Sequence, residues 1–284
     1  MDKIKVKEAL DAYVKRSGSG KKVGNELVGV SPATISQILS DKWELISDEM
    51  WRKVAAQIKY SETEWKVGAT SVYQKLTSVL MDAQMNPKGI DAIIVSSSNG
   101  KSITNDAYIK NNRSVYFVSC TRLMNIRVLL KKMLKAMGKD SSGTSIEMMD
   151  SLVSYLQKDN HPLFIIDEVD KLKDESLELF IDLENQLHRR CGFVLMATSH
   201  FQHRIERGVE RNKRGFTELY SRMKRLFWDL TPDKKELKKD CAVICTANGC
   251  TDKELISQFT NQCEGDFRVL TDLVMAWKSG AVSG

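Results

Sequence analysis

Residues 93–104, IIVSSSNGKSIT, are the stretch that most restricts what this 284-residue chain can fold into. A β-branched apolar run of the kind that forms a buried parallel strand passes directly into Asn99-Gly100-Lys101-Ser102, and helix-like sequence follows. Strand, loop and helix in this order are the context of a phosphate-binding loop, whose pattern is G-x-x-x-x-G-K-S/T. Val95 stands where that pattern has its first glycine. We expect this departure to be serious, because a β-branched side chain resists unusual backbone angles.

The loop predicts ATP with a magnesium ion as its ligand. Backbone N–H groups at the start of the helix would surround the phosphate oxygens, Lys101 would neutralise the β and γ phosphates, and the Ser102 hydroxyl would ligate Mg²⁺. Serine hydroxyls in the loop would add donors and offset part of the missing glycine geometry, so we expect hydrolysis with altered affinity or slow turnover. The residues predicted to bind the nucleotide here are Ser97, Ser98, Asn99, Gly100, Lys101, Ser102 and Ile103.

A second apolar segment, residues 163–166 in HPLFIIDEVDKL, ends in Asp167-Glu168 and predicts the acidic pair of a nucleotide site. An acid at the carboxyl end of such a strand holds Mg²⁺, directly or through water, and the next acid polarises the attacking water. We assign these roles to Asp167 and Glu168 in that order. For the pair taken alone, a helix cap or a surface acid pair is the alternative, but beside a phosphate loop nucleotide binding is favoured.

Strands and helices alternate through the middle of the chain. Residues 114–120 and the segment GFVLMATSH supply two further strands, and helical periodicity appears near 126–137, 146–157 and 175–190. This alternation predicts an α/β fold with a parallel sheet and helices on both faces.

The first sixty residues have helical periodicity and a helix-turn-helix layout. Residues 21–27 can form a short helix, a turn follows at Gly29, and Ser31 with Pro32 begins a new helix, since serine caps a helix start and proline loses no hydrogen bond there. The segment GVSPATISQIL resembles the recognition segment of the lambda-repressor-like family. It predicts DNA binding with weak sequence specificity, because the recognition helix has few arginines; a helical bundle for protein contacts is the alternative. The residues predicted to contact DNA are Ser31, Ala33, Thr34, Gln37 and Lys42.

Composition adds milder constraints. The net charge of +6 is compatible with nucleic acid, and residues 204–239 hold 12 Lys/Arg against 6 Asp/Glu, although a solvated charged face explains that segment about as well. Six cysteines without an export signal favour a reduced, cytoplasmic setting with buried thiols, and the last four lack the paired spacing of a zinc site. No run of ~18 apolar residues occurs in the sequence, so we expect no membrane span.

The order of these motifs resembles that of the AAA+ ATPases. The sensor 1 position of that family follows the strand in MATSH, where Thr198 or His200 would occupy it. LYSRMKRLF resembles the segment of the arginine finger that acts in a neighbouring subunit, with Arg222 as the best match and Arg225 as the reserve. EGDFRVLTDLV resembles the sensor 2 segment and assigns Arg268 to the nucleotide. Taken singly, each arginine has a surface charge or a salt bridge as its alternative.

The whole chain resembles the MuB family of transposition proteins, which also includes TnsC and IstB-like helpers. The resemblance implies a helix-turn-helix domain at 1–62, an AAA+ core at 63–230 and a small helical lid at 231–284, with the linker near 60–70. It implies an ATPase of a phage or mobile element that forms ATP-dependent filaments on double-stranded DNA with little sequence preference and activates a transposase. The alternatives are a helix-turn-helix regulator that senses ATP and a helicase-loader or initiator-type AAA+ protein.

Overall fold

The computed structural model describes residues 3–44, 46–58 and 65–279 of the chain. The chain divides into two compact units, Met1–Trp65 and Lys66–Trp277. The domain boundary predicted after residue 62 lies outside the described residues. The boundary predicted at 230/231 falls inside the second unit, where the helices that follow it share hydrogen bonds with the residues that precede the sheet: the amide of Ser71 donates to Asp240 at 2.7 Å.

The described part of the first unit is helical. Helices α2 and α3 are separated by the predicted turn, in which Gly29 has a φ of 68°. Ser31 caps α3 by accepting from the amide of Thr34, and Pro32 is its first residue, so the predicted helix start is confirmed. Trp51 is fully buried and packs edge-on against Trp43 at 5.4 Å between ring centroids. The four helices are α1 (Lys3–Ser17), α2 (Gly20–Glu26), α3 (Pro32–Leu39) and α4 (Asp48–Gln57).

The second unit contains a five-stranded parallel sheet in the order β2-β3-β4-β1-β5. The strands are β1 (Ile90–Ile94), β2 (Val115–Ser119), β3 (Leu163–Asp167), β4 (Gly192–Ala197) and β5 (Phe227–Asp229). The helices are α5 (Ser71–Met85), α6 (Lys101–Asn111), α7 (Ile126–Ala136), α8 (Ser145–Lys158), α9 (Asp174–Leu187), α10 (Ser199–Glu210), α11 (Phe216–Arg222), α12 (Lys234–Ala247), α13 (Lys253–Cys263) and α14 (Phe267–Lys278).

Helices cover both faces of this sheet, as the sequence predicts. Every residue of β1, β3 and β4 is buried, which is why these segments are mostly apolar instead of alternating; Asp91 in β1 and Asp167 at the end of β3 are the charged residues among them. Because successive strand residues point to opposite faces, Ile94 packs into a core with α7 to α11, whereas Ile93 packs into a second core with α5 and α6. The predicted α/β fold with helices on both faces is confirmed.

Strand β5 is not foreseen by the sequence reasoning. It has three residues, of which Trp228 is 41% exposed, and it pairs with β1 at the sheet edge. A short, half-exposed strand carries too few apolar positions to produce a periodic signal. Helices α12 to α14 follow β5 in the chain. All six cysteines of the chain are free thiols with buried side chains. In the described residues no helix combines the length and apolar character needed to cross a bilayer.

Gly192 permits a close backbone approach between β4 and α5. A Cβ at this position would lie 2.2 Å from the carbonyl oxygen of Ala83, a backbone atom that cannot turn away. We expect Gly192→Ala to lower the free energy of unfolding by about 1–3 kcal/mol through overpacking, measured by urea denaturation. Gly20→Ala is the matched control, since the nearest atom to its Cβ lies at 3.4 Å and α2 tolerates alanine. A change below about 0.5 kcal/mol in Gly192→Ala would contradict this account of the packing.

Candidate nucleotide-binding site

The strand order brings the two main predicted motifs to one edge of the sheet. Strand β4 lies between β1 and β3, so the residues that follow these parallel strands share the same edge. Ser119, the last residue of β2, is in register with Asp167, the last residue of β3. The amide of Cys120 then donates to the carbonyl of Asp167 at 2.9 Å and extends the pairing. The phosphate loop after β1 and the acidic pair after β3 therefore face one cleft.

Val95 continues β1 and does not strain the loop. Its amide donates to the carbonyl of Ala197 at 3.2 Å, and its side chain is fully buried in the core beneath α5 and α6. The left-handed angles of the loop belong to Ser98, with a φ of 67°, and Gly100, with a φ of 86°. The expectation that Val95 would bear the unusual backbone angle is wrong, because the chain turns three residues later.

Helix α6 starts without a side-chain cap. Gly100 is its N-cap residue, and no side chain of the described residues accepts from its first amides, whereas Thr70 caps α5 and Asn125 caps α7. Uncapped amides at a helix start carry partial positive charge and favour an anion. The start of α6 is thus suited to the phosphates that the sequence predicts there.

Lys101 and Asp167 form an ion pair across the cleft, with 2.9 Å between Nζ and Oδ1. Their side chains are 15% and 9% exposed, so both charges depend on each other for compensation. The cleft around them has a volume of about 520 Å³. Ser102 lines it from the first turn of α6. A cation, a hydroxyl and a carboxylate around a helix start form the donor set that a triphosphate with Mg²⁺ requires, so the residues present fit this ligand.

Glu168 is held in place by two side chains. Lys171 pairs with its Oε1 at 2.5 Å, and the Ser119 hydroxyl donates to its Oε2 at 3.1 Å. The contact with Lys171, and then the Ser119 hydrogen bond, lower the pKa of Glu168 below its ordinary value. The backbone of Glu168 is left-handed, with a φ of 58°. The carboxylate is therefore ionised and positioned, as a group that polarises water must be.

Most predicted nucleotide-binding residues meet in this cleft. Asn99 is the exception: its buried side chain donates to the carbonyl of Gly265 at 3.3 Å instead. Predicted residues that line the cleft are Ser97, Ser98, Gly100, Lys101, Ser102, Ile103, Asp167, Glu168 and Arg268. Residues that the sequence reasoning missed are Asp106, Phe117, Ser119, Phe267 and Thr271. These five lie on a helix, a strand or the start of α14, and each is an ordinary residue for its element.

The two sensor 1 candidates occupy different positions. Thr198 follows β4 directly, at the sheet edge that carries the cleft, and is the N-cap residue of α10. His200 lies in the first turn of α10 and is exposed. Within the described part of the chain neither side chain lines the cleft. The assignment of a catalytic role to either residue stays a prediction.

Arg222 lies at the opposite end of the sheet from the cleft of its own chain. Its carbonyl oxygen would be 2.7 Å from a Cβ on Gly89, the residue before β1, whereas the phosphate loop follows β1. A five-residue strand separates the two ends by roughly 16 Å. The Arg222 guanidinium pairs with Glu184 at 3.0 Å and with Glu218 at 3.5 Å. Arg225 lies three residues further, with a φ of 55°.

The predicted DNA-contacting residues lie on or beside α3. Ala33 and Lys42 are exposed, and Gln37 is half-buried. The Ser31 hydroxyl accepts from the amide of Thr34 at 3.0 Å and shares a hydrogen bond with the Thr34 hydroxyl at 2.9 Å. These two hydroxyls therefore stabilise the helix start, and a DNA contact would compete with that bond.

Comparison with known proteins identifies the type of domain. Residues 86–205 match the family model for the AAA domain, and this segment includes the phosphate loop, both acids and β4. With the observed sheet order, the second unit has the AAA+ P-loop α/β fold. One similar solved structure is that of Drosophila ORC bound to DNA, with 15% sequence identity and a TM-score of 0.47. The comparison covers 78% of this chain and 59% of that one. No curated protein matches the chain.

The contact between Lys171 and Glu168 generates a prediction about titration. Lys171 stabilises the charged carboxylate, so removing it in Lys171→Met should raise the pKa of Glu168 toward the ordinary range of glutamic acid. The measurement is a pH titration of the side-chain carboxyl carbons by ¹³C NMR, with Glu168→Gln identifying the resonance. Lys173→Met removes an exposed charge two residues away and should leave that titration in place. An unchanged curve in Lys171→Met would show that Lys171 does not set this pKa.

Proposed function

We propose that this chain is an ATP-dependent DNA-binding ATPase that assembles on duplex DNA with little sequence preference and marks target DNA for a transposase. One observation supports the ATPase activity: the phosphate loop, Asp167 and Glu168 line the same cleft. The parts that concern DNA, assembly and transposition have separate support, given below.

For nucleotide hydrolysis, the predicted residues have distinct tasks. The amides at the start of α6 and the ammonium of Lys101 hold the phosphates, and Ser102 with Asp167 would hold Mg²⁺, which neutralises phosphate charge when bound. Glu168 polarises the attacking water, and Ser119 keeps its carboxylate oriented. Thr198 follows β4, the strand between the two motifs, and its sensor 1 role is supported by this position in the chain, although its side chain does not line the cleft. Arg268 lines the cleft from α14.

The support for DNA binding by the second unit is a cationic face on and around α7. Between Asp106 and Asp140 the sequence contains eight Lys or Arg and no acid. Six of these bases form what we call the α7 basic surface. All six are exposed, and in the described residues none has an ion-pair partner. The α7 basic surface comprises Arg122, Arg127, Lys131, Lys132, Lys135 and Lys139.

The segment with the larger count of bases is less suited to this role. In residues 204–239, Arg204 and Lys213 both pair with Asp174. Lys224 pairs with the buried Asp91 at 2.9 Å. These ion pairs fix helices to the sheet and to each other, so those charges are compensated within the protein. Eight of the 12 bases in this segment have no ion pair among the described residues, but six acids lie in the same segment and lower its net charge. No acid lies between Asp106 and Asp140, and a surface without acids attracts a polyphosphate backbone more strongly, which favours α7.

Features of the first unit also support duplex DNA as the partner. Helix α3 has the capped start and short length of a recognition helix, with Ala33 and Lys42 exposed beside it. Small and polar side chains there give few base-specific contacts, which agrees with weak sequence preference. Two DNA-contacting surfaces on one chain would raise the overall affinity without requiring a defined operator.

Assembly and transposition are supported by the sequence. Arg222 is remote from the cleft of its own chain, so an arginine finger at this position would act on a second copy. A head-to-tail contact of that kind does not close into a dimer, and it generates a filament when the rotation stays open. The transposase as partner is supported by the resemblance to the MuB family in the order of helix-turn-helix, phosphate loop, acidic pair and helical lid.

Electron microscopy on unrelated linear duplex DNA tests the proposed function. We expect continuous filaments with ATP and bare DNA with ADP or without nucleotide. Glu168→Gln should keep ATP bound and give longer-lived filaments, because hydrolysis releases the protein. Lys101→Ala should give none, because the phosphates lose their counter-charge. Isolated particles that do not respond to nucleotide, or filaments formed equally by Lys101→Ala, would contradict an ATP-dependent assembly.

The α7 basic surface generates a second prediction. Replacing Lys131, Lys132 and Lys135 together by Gln should weaken DNA binding uniformly across sequences. It should also flatten the dependence of log K on log salt by about 0.9 for each phosphate that the variant no longer neutralises. Fluorescence anisotropy at several salt concentrations measures both effects. The matched control replaces Lys234, Lys238 and Lys239 of α12, which removes the same charge from another exposed surface. Equal effects in both triple variants would mean that net charge, and not α7, is responsible.

A further inference from the structure

Two residues of the phosphate loop form hydrogen bonds with the segment at the start of α14. The amide of Phe267 donates to the carbonyl of Ser98 at 3.0 Å, and the Asn99 side chain donates to the carbonyl of Gly265 at 3.3 Å. The segment of residues 265–267, which we call the 265–267 turn, is therefore tied to two consecutive residues of the loop.

The 265–267 turn has a conformation that fixes the direction of α14. Gly265 has a φ of 87°, and Glu264 before it has a φ of 48°. Phe267 is 5% exposed, and its ring lies 3.8 Å from the place where a Cβ on Gly100 would be. The loop and the turn therefore pack against each other as well as sharing hydrogen bonds.

Arg268 is the next residue, and it lines the nucleotide cleft. Its amide donates to Asp266 Oδ1 at 2.8 Å, so its backbone is anchored to the same turn. The guanidinium therefore enters the cleft from a segment whose position depends on the loop. Asn99, which is 5% exposed and does not line the cleft, uses its side-chain amide for this contact and not for a phosphate.

We propose that Ser98 and Asn99 are positioning residues that hold the 265–267 turn against the phosphate loop and thereby aim Arg268 at the phosphates of a bound nucleoside triphosphate. This proposal rests on the proposed nucleotide-binding function of the same cleft. It also explains residue choice at position 99: the side-chain amide of Asn99 supplies a hydrogen bond to the 265–267 turn that a glycine could not supply.

The test measures nucleotide affinity with a fluorescent ATP analogue in full-length variants. Asn99→Ala removes the donor to Gly265 and should weaken binding about 3- to 10-fold, the range expected for the loss of one hydrogen bond. Ser96→Ala is the matched control, because the Ser96 hydroxyl contacts Thr231 at 3.4 Å and does not line the cleft.

A double-mutant comparison distinguishes positioning from a general loss of structure. If Asn99 acts through Arg268, Asn99→Ala should have no further effect on affinity in the Arg268→Ala background. Hydrogen exchange of the 264–271 segment, measured without nucleotide, should be faster in Asn99→Ala than in the wild type and unchanged in Ser96→Ala. Full additivity of the two substitutions, or unaltered exchange and affinity in Asn99→Ala, would overturn the proposal while leaving nucleotide binding intact. Failure of the wild type to bind the analogue would overturn both.

Discussion

The Lys101–Asp167 ion pair is the contact on which the cleft depends. It joins the start of α6 to the end of β3, and both side chains are nearly buried, so neither charge could remain there alone at low cost. A bound triphosphate with Mg²⁺ would give each member a new partner: phosphate for the lysine and metal for the aspartate. In the empty site the ion pair compensates both charges, and a bound ligand would replace each of the two partners. Loss of one member would leave the other without compensation in the empty site.

The sequence predicts those features that depend on neighbouring residues. Strands β1, β3 and β4 are found because burial on both faces makes each of them mostly apolar. The start of α3 is found because its cap and its proline are adjacent in the chain. The assignment of strain to Val95 fails for a related reason. Counting from the lysine identifies the position of the missing glycine, but the hydrogen bond from Val95 to Ala197 extends the strand pairing past it, and the left-handed angle lies at Ser98.

Features that depend on distant residues are not predictable in this way. The contact of Asn99 with Gly265 spans 166 residues, and the contact of Ser119 with Glu168 spans 49. A serine or an asparagine in the sequence does not indicate a distant partner of this kind. The same limit applies to the charged segments, because a count of bases does not show which of them are paired. A count of bases favours residues 204–239, but the ion pairs of Arg204, Lys213 and Lys224 compensate part of that charge, and these pairs join residues distant in the chain.

The position of Arg222 links the chemistry of the cleft to assembly. Glu184 is nearly buried, with 11% of its side chain exposed, and it holds the guanidinium at the edge of the sheet that lacks the phosphate loop. An arginine at that place cannot stabilise charge in its own cleft, because the length of β1 lies between them. If it contributes to hydrolysis, the phosphates it meets belong to another copy of the chain, and turnover then depends on neighbours. Duplex DNA that aligns chains through uncompensated bases on α7 would raise the local concentration of such neighbours, so DNA binding and hydrolysis would reinforce each other without any contact between DNA and nucleotide.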